Sequence, residues 1–114
     1  MVKLATTMRL LAFAAFAILS PCAGGASAEN YQDAIDALTR GQPRAVAAFA
    51  VRRVECNHWA GEEPYDKERA AEIAKAVRRL RCGALEHEEG VLRHRYAEKP
   101  NVLKTLDTAA DLEF

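Results

Sequence analysis

Apolar residues recur along this chain at helical spacing and nowhere alternate singly with polar ones, which removes sheet folds before anything else is considered. Tyr31, Ala34, Ile35 and Leu38 fall at i, i+3, i+4 and i+7, and Gly41 ends the run. Pro43 suits the first turn of a second helix, in which Val46, Phe49, Ala50 and Val54 form the stripe and the stretch from Ala45 to Ala50 has high helix propensity. A third helix is expected from about Asp66, with Ala70, Ile73, Ala74, Val77 and Leu80 on one face. Its acids lie early and Arg78, Arg79 and Arg81 late, matching the helix dipole, and Gly83 ends or bends it. Leu85, Leu92 and Tyr96 share a face over residues 84–97, a helix weakened by Gly90, and Lys99-Pro100-Asn101 makes the next boundary. A last helix from Val102 places Leu103, Leu106 and Ala110 together, and the end from Asp111 to Phe114 frays. The pattern predicts an all-α fold: a small bundle of four or five helices joined as αα-hairpins.

The start of the chain reads as an export signal. Lys3 and Arg9 precede an apolar run from Leu10 to Leu19, Ser20 and Pro21 break it, and Ala26-Ser27-Ala28 offers the small side chains a signal peptidase accepts. About ten apolar residues span only about 15 Å as a helix, roughly half a bilayer core, so no stable membrane span is expected after cleavage. Residues 1–28 are therefore expected to be removed, leaving 29–114 as one small helical domain in the periplasm or secreted. Leu19-Ser20-Pro21-Cys22 also resembles a lipobox, but Pro21 stands where that pattern wants a small residue, so lipidation of Cys22 is the weaker expectation.

Loss of the first 28 of 114 residues removes two basic side chains and no acid, so 16 basic and 16 acidic residues become 14 and 16. A net charge near minus two offers no basic surface for nucleic acid. The remaining 86 residues make a marginal core, a size at which a covalent staple is common. Cys56 and Cys82 are the only cysteines beyond the signal, and in an oxidising compartment they are read as one disulfide. A zinc site from Cys56, His58 and Cys82 lacks a fourth ligand at any telling spacing, so no metal or cofactor is expected.

Two short stretches carry family resemblances. Tyr31-Gln32-Asp33-Ala34-Ile35 through Gly41 and Ala45 resembles half of a tetratricopeptide-type repeat, yet a single unit cannot form a stacked array and implies only a helical hairpin. Cys82, Leu85, Glu89, Leu92 and Tyr96 resemble a cysteine-to-tyrosine helix pattern of the LprI lysozyme-inhibitor family, with Glu89 where that family usually has Asp. Small helical immunity proteins of type VI secretion are similar in appearance. These resemblances imply a cell-envelope binding protein, an inhibitor or immunity-like, and assign no site residues.

No nucleophile elbow, metalloprotease motif or phosphate loop occurs, so no catalytic residue is assigned and a non-enzyme is expected. His87, His94 and Glu98 share a helix face, but seven residues rise about 10 Å, too far for two histidines on one zinc, so the face is read as solvated. Unusual residues gather only in the segment 57–66, which has no helical period and is punctuated by Gly61 and Pro64, and is read as a structured loop. His58, Trp59, Glu62, Glu63, Tyr65 and Asp66 are the candidate binding residues, because aromatics beside a disulfide give much contact area for little entropy. The competing reading folds Trp59 and Tyr65 inward as a core plug, with Glu62 or Glu63 capping the third helix. The expected function is binding of a protein partner in the envelope. The alternatives are a small enzyme or ligand carrier with a cleft beside the segment, and a structural envelope component.

Overall fold

The structure is a computed structural model that describes residues 26–114, with side chains from Asn30 onward. The expected export signal and Cys22 lie outside the described residues, save that Ala26-Ser27-Ala28 opens the first helix. Five α-helices and one 3₁₀ turn follow in chain order: α1 (Ala26–Thr39), α2 (Arg44–Gly61), α3 (Lys67–Arg79), the turn Cys82–Ala84, α4 (Leu85–Arg95) and α5 (Pro100–Asp111). The described residues form an all-α bundle with no strand.

Helix α2 is the hub, because two of its faces are apolar. Val46, Phe49 and Cys56 meet Leu85 and Leu92 of α4 and Val102 and Leu106 of α5, with Leu80, Cys82 and Tyr96 at the edge. Ala50 and Val54 meet Ile35 and Leu38 of α1 and Ala109 of α5, with Tyr31, Val51 and Leu112 at the edge. The expected stripes of α1, α2 and α4 are therefore the faces that pack. Between α1 and α2 the chain turns at Gly41, whose φ of +71° favours a residue without a Cβ.

Four expectations need correction. Helix α2 runs on to Gly61, so Asn57, His58 and Trp59 are helical and only residues 62–66 form the connection. Gly61 marks the end of that helix rather than a break inside a loop, and open space surrounds the position a Cβ would take. The α3 stripe is only half covered: Ala76 is its buried residue, Ile73, Ala74, Val77 and Leu80 are intermediate and Ala70 is exposed. In α5 the buried residues are Val102, Thr105, Leu106 and Ala109 rather than Leu103 and Ala110, and the helix starts at Pro100, where a missing N–H costs nothing.

Cys56 and Cys82 are disulfide-bonded, with their Cα atoms 5.7 Å apart. The bond ties the last turns of α2 to the turn after α3, so α3 and its connection are closed into one covalent loop. Polar links join the other elements. Arg52 and Arg53 of α2 pair with Glu88 and Glu89 of α4, Arg81 reaches Glu88 at 3.0 Å, and Arg93 joins Glu89 at 2.8 Å to Asp107 of α5 at 2.5 Å. Arg52 holds the Glu88 carboxyl below the usual glutamate range by hydrogen bonding, against a smaller opposing effect of burial.

Candidate functional site: an aromatic cleft at the stapled end of the second helix

The last turns of α2 carry the chemistry that gathers at this end of the bundle. Asn57 faces α5, and its amide nitrogen donates to the carbonyl oxygens of Ala109 at 2.9 Å and of Ala110 and Leu112 at 3.1 Å. These carbonyls are at the end of α5, where no further turn supplies donors. Asn57 thus fixes the C-terminal segment against α2, and that segment brings Phe114 back over the last turns of α2. The His58 ring nitrogen Nδ1 lies 2.9 Å from the main-chain oxygen of Phe114, and the Phe114 ring meets Tyr31 of α1 edge-on with centroids 4.9 Å apart.

Tyr31, Glu55, His58, Trp59, Arg79 and Phe114 enclose an open cleft of about 300 Å³. Three aromatic rings from α1, α2 and the C-terminal segment line it, and the disulfide lies one turn back along α2 from Trp59. Partial burial, and then the Glu55 carboxylate, push the Tyr31 phenol above its usual range, so the ring stays a neutral donor at physiological pH. Trp59 is half-buried rather than plugged into a core, with the His58 ring edge-on at 5.6 Å and the Arg69 guanidinium 5.4 Å from its centroid.

Arg69 in turn reaches Glu62 at 3.0 Å and Glu72 at 2.8 Å, and those two carboxylates raise its already high pKa further. Glu62 also lies 3.4 Å from His58 Nε2. Trp59 is therefore held by a clamp of His58, Glu62 and Arg69, linking α2 to α3.

Of the residues expected to bind, the structure brings His58, Trp59 and Glu62 together and separates the rest. Asp66 caps α3, accepting from the Arg69 backbone N–H at 2.7 Å, which is the capping role the sequence suggested for Glu62 or Glu63. Glu63 is exposed and lines no part of the cleft, and Tyr65 stands in solvent with 82% of its surface exposed, so the inward plug is wrong for Tyr65. Tyr31, Glu55, Arg79 and Phe114 were missed. Periodicity marks Tyr31 only as a stripe residue and Phe114 only as a fraying end, and no local pattern brings residues 31 and 114 to the same place.

Fold and cleft together define a small all-α protein, stapled once, with an aromatic depression at the stapled end. No protein-family model matches the chain, and no curated protein or solved structure matches it.

Proposed function

We propose that this is an exported protein of the cell envelope that acts by binding a partner protein through the cleft at Tyr31, Trp59 and Phe114. The observation that carries the reading is the convergence of three aromatic rings on one open cleft, in a part of the molecule tied down by a disulfide, an amide clamp and an ion-paired arginine. Large rings whose surroundings are already fixed lose little entropy when a partner docks, which makes them effective anchors. Export is supported by the signal-like residues 1–28 and by the disulfide, which persists in oxidising compartments. No helix among the described residues is long and apolar enough to cross a membrane. An inhibitor or immunity-like role agrees with this mode of action and with the resemblance of the Cys82–Tyr96 segment.

A second reading rests on the polar residues of the same cleft. Glu55 and Arg79 line it beside the rings, and about 300 Å³ lies at the lower end of small-ligand sites, so a small ligand with both charges is the rival occupant. The test is capture from envelope extract with the wild type and with Trp59→Ala, Tyr31→Ala and a remote control, Glu98→Gln. A partner held by the wild type and the control but lost by both cleft variants, all three folded, supports protein binding. Retention by the cleft variants contradicts it.

A further inference from the structure

The face of α4 turned away from the bundle takes no part in the cleft. Gly83, Glu86, His87, Gly90, Val91 and His94 line it as a shallow open trough. Gly90 sits in the middle of an 11-residue helix, where glycine is among the least favourable residues. Nothing lies within 4 Å of the position its Cβ would occupy, so the interior of the molecule does not require a glycine there. Beside it Val91 is 46% exposed. Glu86, His87 and His94 are exposed, and among the described residues none of the three makes an ion pair or a side-chain hydrogen bond.

On this face the exposed Glu86 lies before Gly90 and the exposed His94 after it, whereas Glu88, Glu89 and Arg93 are taken up in ion pairs with α2 and α5. The helix dipole favours that order in any single helix, but it accounts neither for a glycine at the midpoint nor for the exposed valine next to it. A two-fold contact accounts for all three, because such an interface must be complementary to itself.

We propose that this face of α4 is a contact between two copies of the chain, packed antiparallel with Gly90 near the two-fold axis. The absent side chain lets the two backbones approach, and Val91 of each copy covers the gap. Glu86 lies four residues before Gly90 and His94 four after, so Glu86 of one copy stands opposite His94 of the other, where an imidazole N–H donates to the carboxylate. That pairing occurs twice about the axis, whereas parallel packing would set Glu86 against Glu86. A single helix of 11 residues is about 16 Å long, so the buried area falls below the roughly 800 Å² per partner of a standard interface. The dimer is accordingly weak, reversible and weakened by salt.

Sedimentation velocity on the exported protein, from low micromolar to millimolar concentration, tests this. The wild type should shift from monomer to dimer as concentration rises. Gly90→Glu should remain monomeric throughout with an unchanged or higher melting temperature, since glutamate is the better helix former and has open space to occupy. Glu86→Lys should weaken association at least about tenfold, and Glu86→Lys combined with His94→Glu should restore it. A wild type that is monomeric at every concentration, a Gly90→Glu protein that associates like the wild type, or a double variant that fails to recover would each overturn the proposal.

Discussion

Replacing Asn57 by alanine should show how much of this fold depends on one side chain. Its amide serves three carbonyl oxygens at the end of α5, at 2.9, 3.1 and 3.1 Å, with two N–H groups to offer, so one of these is shared. A net hydrogen bond contributes about 0.5–1.5 kcal/mol, and the carbonyls left behind are partly screened from water, so the loss should be about 2 kcal/mol. For a domain of this size that corresponds to a fall in Tm of about 8–16 °C. Asn57→Asp keeps the shape but sets an acceptor-only carboxylate against the negative end of α5, and should be at least as damaging at neutral pH. It should recover in acid, since a protonated carboxyl can donate; its folded-state pKa is then raised, and the stabilisation is lost again as pH rises through that value. Thermal and urea unfolding followed by circular dichroism measure both variants. An Asn57→Ala protein within about 0.5 kcal/mol of the wild type, or an aspartate variant as stable as the wild type at pH 7, would refute the argument.

Other parts of the structure make their own demands. Reducing the Cys56–Cys82 bond reopens a loop of 26 residues' separation, for which chain entropy gives about 3–4 kcal/mol, so Tm should fall by more than about 10 °C; an unchanged Tm would show that the bond contributes little. Arg81 holds a left-handed conformation at φ 55°, so Arg81→Gly should raise stability by about 0.5–1 kcal/mol, since the ion pair it forfeits is two-thirds exposed and worth little; a loss on urea unfolding would contradict this. The Glu88 carboxyl is held below its usual range by Arg52, so its contribution is present above the unfolded-state pKa and is lost as pH falls through the lower folded value. Glu88→Gln should accordingly flatten the acid side of the stability profile, and an unaltered profile would dismiss the pair.

Helices α1, α2 and α4 were legible because each buries a periodic face that sequence order alone displays. The disulfide was legible because only two cysteines follow the signal-like segment. Long-range satisfaction was hidden. In the extended part of α2, Asn57 finds acceptors more than fifty residues away, and a glycine beside a polar run gives no hint of that. The same holds for the cleft: Trp59 and His58 could be picked out as unusual residues, whereas Tyr31 and Phe114 join them only because α1 and the C-terminal segment both pack on α2. The half-covered face of α3 looked like an ordinary core stripe because periodicity reports which residues could be buried, not whether a neighbour covers them.

The central claim is that the Trp59 cleft is a surface for recognition rather than a piece of the core, and Trp59→Ala tests it most directly when partner affinity and unfolding free energy are measured on the same protein. Trp59 is half-buried, so its truncation should cost less than about 1.5 kcal/mol of stability, below the roughly 3–5 kcal/mol typical of a fully buried tryptophan. As an anchor in the cleft it should lower partner affinity by about 30-fold or more, the 2 kcal/mol of an interface hot spot. Unchanged affinity together with a stability loss of about 3 kcal/mol or more would show that Trp59 is structural and would contradict the account.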